Sequence, residues 1–161
     1  MNKEIEMYKN EGFKGFISVK DLRKKLSEKT SGISTEAGIY IVVRDNDSAP
    51  SFESVGTGGH HKGKNPNVDI ATLQDEYVND SKIVYIGQST NLRRRIRELL
   101  HFGVGKNIGH WGGRYLWQLS DAEDLLVAWK EMPGQDVVQE EKSMLKDFID
   151  RHDRPPFANL K

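Results

Sequence analysis

Two charged side chains lie at helical positions where their charge can take part in chemistry. In the segment that begins near Leu92, Arg95 falls at the border between the apolar face and the solvent face. This is where a catalytic arginine would sit, because a guanidinium held there can stabilise negative charge on a reacting group. In the last helical segment, Glu141 falls near the middle of the apolar face. A carboxylate is costly there unless it is paired or metal-bound, so Glu141 is a candidate functional residue.

The distribution of charge along the chain points to an anionic partner. The 161 residues include 24 basic and 24 acidic side chains, so the net charge is zero. Residues 82–115 nevertheless hold seven Lys or Arg against the single acidic residue Glu98, whereas residues 116–153 hold four against ten. A basic block in a neutral chain predicts a surface that faces an anion, and phosphate backbones are the commonest such partner. The alternative is that Arg93, Arg94 and Arg97 form a solvated helix face, and charge alone does not decide between the two.

Composition excludes several classes of protein. The length suits one domain, or one domain with a long insertion, and needs neither a disulfide nor a structural metal. No cysteine is present, which excludes thiolate zinc sites and cysteine nucleophiles. No stretch approaches the roughly 18 unbroken apolar residues of a membrane span. The first twenty residues lack the apolar run of a signal peptide, so we expect a cytoplasmic location.

Apolar runs predict the elements that must position the charged residues. Strands are expected at 37–43 and 82–87, with two more strand-like runs at YLWQL (115–119) and DLLVAWKEM (124–132). Helices are expected after the cap Ser18, at 70–78, from near Leu92 to Gly103 with Ser89 or Thr90 as its cap, and after the cap Asp136. The inner face of the last helix is predicted to consist of Val137, Val138, Met144, Leu145, Phe148 and Ile149.

A long glycine-rich segment, residues 48–67, shows neither helical nor strand periodicity. Loops of this length inside compact domains are usually functional or mobile, so it is a candidate substrate-contacting element. His60 and His61 lack a third ligand at a suitable spacing and are more often solvated residues than metal ligands. Farther along, Trp111 and Arg114 have a plausible role in DNA binding, although a turn followed by a core strand explains that segment equally well.

Two tripeptides stand in the two central strands, GIY at 38–40 and YIG at 85–87. With them the sequence resembles the GIY-YIG endonuclease family. The match continues with Arg95, eight residues after the YIG glycine, with Glu141 at the start of E-K-S-M-L, and with Asn159 after a proline-containing segment. All five positions occur in the order of the family, over residues 37–159.

The resemblance implies an α+β fold with a small antiparallel β-sheet, a three-stranded core that other strands can extend, flanked by helices. Residues 37–161 would form the nuclease domain, with an insertion at about 45–81, and residues 1–36 a helical extension packed on it. The implied activity is hydrolysis of DNA phosphodiester bonds with one Mg²⁺ or Mn²⁺ ion per site. Cutting both strands would require a homodimer or two successive nicks.

The resemblance also implies a role for each matched residue. Glu141 would hold the metal ion, and Arg95 would stabilise charge on the phosphate oxygens. Tyr40 would take the proton of the attacking water, Tyr85 would orient the water or the phosphate, and Asn159 would fix geometry. The basic residues assigned to DNA binding are Arg93, Arg94, Arg97, Lys106 and Arg114.

The sequence departs from the family pattern in ways that leave alternatives open. The 44 residues 41–84 separate GIY from YIG, which is much longer than usual. Leu99 stands where many members have His or Tyr. His101 faces the other side of that helix, although His110 could approach from elsewhere. A second alignment places the family glutamate at Leu145 and predicts an inactive nucleic-acid-binding or regulatory module. A third alternative is an interaction domain with a buried Arg95–Glu141 ion pair.

Overall fold

The computed structural model describes residues 3–160. Met1 and Asn2 of the predicted extension 1–36, and Lys161 of the predicted domain 37–161, lie outside the described residues. The chain forms an α+β fold. Its elements in order are α1 (Lys3–Asn10), β1 (Lys14–Ser18), α2 (Val19–Ser27), β2 (Gly38–Val43), α3 (Ile70–Glu76), β3 (Ile83–Ser89), α4 (Leu92–Phe102), β4 (Leu126–Glu131) and α5 (Val137–His152). Short 3-10 helices lie at His61–Gly63, Trp111–Gln118 and Ala122–Asp124.

The four strands form one antiparallel sheet in the order β1-β4-β2-β3. β2 lies inside the sheet, and all six of its residues are buried, as its β-branched and aromatic composition predicts. Ile39 and Ile41 face a core that contains side chains of α1 and α5, whereas Tyr40 and Val42 face a core that contains side chains of α2 and α4. The sheet is therefore covered on both faces, which confirms the α+β class. Within residues 3–160, no helix is long and apolar enough to cross a membrane.

The N-terminal region was predicted only as helical, yet it supplies the edge strand β1. β1 pairs with β4 through a bulge between Gly15 and Ile17. Gly15 has a φ of +98°, and a Cβ atom at this position would overlap the ring of Trp129. Because the bulge interrupts the alternation of side chains in a five-residue strand, the sequence pattern does not reveal β1.

The strand prediction for residues 115–119 is wrong. Residues 115–118 belong to the 3-10 helix Trp111–Gln118, and only Leu119 forms an isolated β-bridge, with Phe52. All five side chains are buried, so they show no alternation that would distinguish a strand from a helix. Gln118 then fixes the long loop, because its side-chain amide donates to the carbonyls of Glu53 and Val68 and accepts from the Val68 amide.

Two of the three predicted helix caps are confirmed, α3 ends at Glu76 rather than at 78, and the buried face of α5 is narrower than predicted. Ser18 and Asp136 cap α2 and α5 as predicted. Asn91 caps α4 by accepting from the Arg94 amide, so neither Ser89 nor Thr90 is the cap. On α5, Val138 and Ile149 are 47% and 42% exposed rather than part of the inner face. The stripe covered by the sheet is therefore narrower than the helical wheel suggests.

Candidate active site

A bulge in β3 brings Tyr40 and Tyr85 to the same face of the sheet. Val42 pairs with Tyr85 and Val43 pairs with Ile83, so Val84 is an additional residue between two pairs. The bulge shifts the alternation by one residue and places Tyr85 on the side of Tyr40. The centroids of the two tyrosine rings are 6.0 Å apart.

The glycines of the two tripeptides are required by close packing. Gly87 lies opposite Tyr40 in the sheet, and a Cβ atom at Gly87 would come within 2.6 Å of the Tyr40 hydroxyl oxygen. A Cβ at Gly38 would lie 2.7 Å from the Leu92 side chain and closer still to the Lys130 carbonyl. The ring of Tyr40 can cross β3 only because residue 87 has no side chain.

Tyr40 forms a hydrogen bond with His110, whose Nε2 lies 2.7 Å from the hydroxyl oxygen. His110 is fully buried, and no partner for its Nδ1 is present among the described residues. Burial and the charge of Arg95 lower the pKa of His110 to about 3, so the imidazole is neutral. With the proton on Nδ1, Nε2 can accept the hydroxyl proton of Tyr40. Burial, followed by the neighbouring Tyr85, raises the pKa of Tyr40 well above its usual value, while Arg95 opposes this shift.

Arg95 lies at the edge of the core, as predicted, with its side chain 29% exposed. Its guanidinium donates to the Gly109 carbonyl at 2.7 Å and to the Glu98 carboxylate at 3.1 Å. The ion pair of Arg95 is thus with Glu98, and the Arg95–Glu141 pair required by the interaction-domain alternative is not formed. The charge of Arg95 acts to lower the pKa values of Tyr40, Tyr85 and His110, so its guanidinium lies near all three groups.

Glu141 is half-buried on α5, which packs mainly against β3. Burial raises the pKa of its carboxyl, and within residues 3–160 it has no hydrogen-bond or ion-pair partner. Burial raises the pKa of Tyr85, and the charge of Glu141 adds to this shift, so the carboxylate lies near Tyr85. No group of three or more His, Asp or Glu side chains suited to a metal occurs in the described part of the chain. A single unpaired carboxylate suits a hard cation that keeps most of its waters.

Asn159 holds the C-terminal segment against the free edge of β3. Its side-chain oxygen accepts from the Ile86 amide at 2.9 Å, and its nitrogen donates to the Ile86 carbonyl at 2.8 Å. Both polar atoms are therefore engaged by the backbone next to Tyr85. In this arrangement Asn159 positions β3.

The predicted DNA-binding residues lie on α4, on the connection after it and on the 3-10 helix Trp111–Gln118. On α4, Arg94 and Arg97 are exposed on the side away from Leu99, and Lys106 is exposed just beyond the helix. Arg93, also exposed, donates to the Ile33 carbonyl. Burial, and then the charges of Lys106, Arg97 and Arg23, lower the pKa of His101, which shows that these cations surround it. Arg114 is on the 3-10 helix Trp111–Gln118, with its guanidinium carbon 4.6 Å from the Trp111 ring centroid.

The structure also shows contacts that the sequence did not assign. Leu99 is fully buried, and His110 reaches Tyr40 from the connection after α4 rather than from α4 itself. The sequence signal for His110 was only its place in a glycine-rich connection close to the arginine helix. Glu98 is the one acidic residue in the basic block, but the charge pattern alone does not predict its ion pair with Arg95. His61 contacts Asn107, and no metal cluster includes it in the described residues.

Acidification is expected to destabilise the fold through His110. Above pH 6.5 the imidazole is neutral in both states, and the stability is fully present. As pH falls from 6.5 towards the folded-state pKa of about 3, only the unfolded chain takes up the proton. The free energy of unfolding should therefore fall by about 1.4 kcal/mol per pH unit through this group. Urea unfolding from pH 7 to pH 4 measures it, with His110→Gln as the reference; identical slopes for both proteins would contradict the assignment.

In comparisons with protein-family models, curated proteins and solved structures, no match to this chain was found. The functional argument therefore depends on the site itself. That site combines a guanidinium, two neighbouring tyrosines with tilted rings, a buried neutral imidazole and an unpaired carboxylate.

Proposed function

We propose that the chain is a metal-dependent DNA endonuclease of the GIY-YIG type, which hydrolyses phosphodiester bonds. The observation that carries the proposal is that the guanidinium of Arg95 and the unpaired carboxylate of Glu141 both lie near Tyr85, which packs beside Tyr40. The charge of each residue acts on Tyr85, yet the two do not form an ion pair with each other. A cation held by the carboxylate and an anion held by the guanidinium would thus meet at one place.

The roles of the residues follow from their contacts. Arg95 would donate to the phosphate oxygens in place of the Gly109 carbonyl, and Tyr85 would orient the water or the phosphate. Glu141 would hold Mg²⁺ or Mn²⁺, and the ion, when bound, supplies polarisation of the phosphate and acidification of water. Asn159 would keep β3 in register with the C-terminal segment.

Tyr40 would transfer the proton of the attacking water through its hydrogen bond to His110. Its raised pKa argues against a free phenolate in the resting protein. Arg95 contributes to the low pKa of His110, so a phosphate bound to Arg95 would offset that charge and make the imidazole a better acceptor. The bound phosphate would then stabilise the imidazolium that forms when Tyr40 passes its proton to Nε2 of His110.

The test is cleavage of supercoiled plasmid and mixed genomic DNA with Mg²⁺ or Mn²⁺, with EDTA as a control. Arg95→Ala is expected to reduce the cleavage rate by about 10²- to 10³-fold, since it removes the donor to the phosphate. Arg151→Ala, an exposed arginine near the end of α5, is the matched control and should retain the rate. Cleavage that persists in EDTA, or in Arg95→Ala, would contradict the proposal.

The second candidate is a non-catalytic nucleic-acid-binding module. The observation in its favour is the buried Leu99 in place of the family His or Tyr. Salt-sensitive retention of DNA without metal-dependent cleavage would support this alternative.

A further inference from the structure

Two cations, Lys64 and Arg114, lie against the ring of Trp111. The Nζ atom of Lys64 lies 5.9 Å from the centroid of the Trp111 ring, and the guanidinium carbon of Arg114 lies 4.6 Å from it. Among residues 3–160, neither cation forms a salt bridge. The ring attracts each of the two cations without neutralising its charge. A phosphate bound beside Trp111 would supply the missing negative charge.

Arg114 is held in place rather than free in solvent. It is partly buried, it donates to the Trp111 carbonyl at 3.2 Å, and its guanidinium also lies over the ring of Tyr115 at 5.6 Å. Burial lowers its pKa, and the neighbouring Tyr115 opposes this shift. A guanidinium that is fixed, partly desolvated and unpaired is suited to bind a phosphate group.

This pair of cations adjoins the candidate active site. A Cβ atom at Gly113 would lie 3.5 Å from the Tyr85 ring and 3.2 Å from the His110 ring. Trp111 and Arg114 thus belong to the same short segment that covers the tyrosines. Arg95 donates to the carbonyl of Gly109, two residues before Trp111, so the proposed phosphate site at Arg95 is next to this segment.

Lys64 is brought to Trp111 by the long loop between β2 and β3. Asn107 anchors that part of the loop, because its side-chain oxygen accepts from the Lys62 amide at 3.2 Å and lies 3.1 Å from His61 Nδ1. Gly59 packs directly against the Lys106 backbone. The loop is therefore attached to the connection that carries His110, and Lys64 projects from this attached part.

We propose that Lys64 and Arg114, held on Trp111, form a subsite for a backbone phosphate of the DNA strand beside the scissile phosphate. The insertion at 45–81 then has a defined function, which is to supply Lys64 to the binding surface. That the anion is DNA rests on the proposed function. That both cations lie on Trp111 is observed independently of it.

Tryptophan fluorescence tests the subsite directly. Trp117 and Trp129 are 2% and 3% exposed, whereas Trp111 is partly exposed, so a bound strand should alter mainly the emission of Trp111. A 20-bp duplex is titrated in EDTA, which prevents metal-dependent cleavage. We expect the emission change to be absent in Trp111→Phe. Lys64→Ala and Arg114→Ala should each weaken binding by about 5- to 20-fold at low salt and reduce the salt slope by about one.

Lys62→Ala is the matched control, because Lys62 is an exposed lysine of the same loop that does not contact Trp111. Lys62→Ala should change the dissociation constant of the duplex less than 2-fold, because salt screens the interaction of a more distant charge with the DNA. Equal losses of DNA affinity for Lys62→Ala and Lys64→Ala would overturn the subsite, and so would binding without a change in Trp111 emission. Neither result would bear on the proposed nuclease activity, which is tested by metal-dependent cleavage. Specific binding at Trp111 without cleavage would uphold the subsite and overturn the nuclease. A wild-type chain that neither binds nor cleaves DNA would overturn both.

Discussion

Replacing Glu141 by glutamine is expected to reduce metal-dependent DNA cleavage by about 10³-fold or more. Glutamine has nearly the same shape, but its neutral amide is a poor ligand for Mg²⁺ or Mn²⁺. The other carboxylate near the site, Glu98, is already engaged by Arg95. Single-turnover cleavage at saturating DNA measures the effect without a contribution from binding.

The same substitution should not harm the folded state in the absence of metal. Burial raises the pKa of Glu141, so its ionised form is disfavoured in the folded chain relative to the unfolded chain. The resulting penalty is absent at low pH, where both states are protonated, and appears as pH rises through the folded-state pKa. In EDTA at pH 7.5, Glu141→Gln should therefore melt at the same temperature as the wild type or higher, and the gain should disappear below pH 4.

Glu140→Gln is the matched control, since Glu140 is the preceding residue on α5 and is also partly exposed. It should retain cleavage. Addition of Mn²⁺ should raise the melting temperature of the wild type and of Glu140→Gln but not that of Glu141→Gln. Undiminished cleavage by Glu141→Gln, or its loss in Glu140→Gln, would show that another group holds the metal.

The sequence predicts the elements whose side chains follow a strong period. The apolar strand β2 and the amphipathic helices α4 and α5 are found where they were expected, and Arg95 lies at the border of the apolar face of α4. Glu141 could be singled out because a carboxylate interrupts an apolar stripe. These conclusions need only local information, since each residue is judged against neighbours on its own helix.

Contacts between distant segments were not predictable in the same way. Tyr40 and His110 are 70 residues apart, and the glycine-rich connection that carries His110 has no period to define its direction. The alternation in KIVYIG places Ile83 and Tyr85 on one face, whereas the bulge at Val84 separates them. Lys64 likewise gains its position only because Asn107 and Gln118 hold the loop. In each case, backbone contacts between segments decide the outcome.

Replacing Gly87 by alanine is expected to destabilise the fold by about 3 kcal/mol, at the upper end of what overpacking costs. The new Cβ would overlap the Tyr40 hydroxyl and ring, and Tyr40 is almost completely buried beneath His110. β2 is paired on both sides, and β3 is paired with β2 on one side and held by Asn159 on the other, so neither strand shifts easily. Urea unfolding measures the loss, which corresponds to a fall in melting temperature of roughly 10 °C for a chain of this size.

Gly109→Ala provides the comparison, because its nearest neighbour is the His61 ring at 3.7 Å, an ordinary van der Waals contact. It should change stability by less than about 1 kcal/mol, the range of a surface substitution. A second substitution separates steric overlap from the general cost of adding a methyl group to a strand. Tyr40→Phe should not rescue Gly87→Ala, since the Cβ would still come within 2.7 Å of the ring carbon Cε1. Tyr40→Val, which removes the ring, should make Gly87→Ala nearly neutral in that background. If Gly87→Ala is equally costly with and without the Tyr40 ring, the strand itself rather than the tyrosine requires glycine at this position.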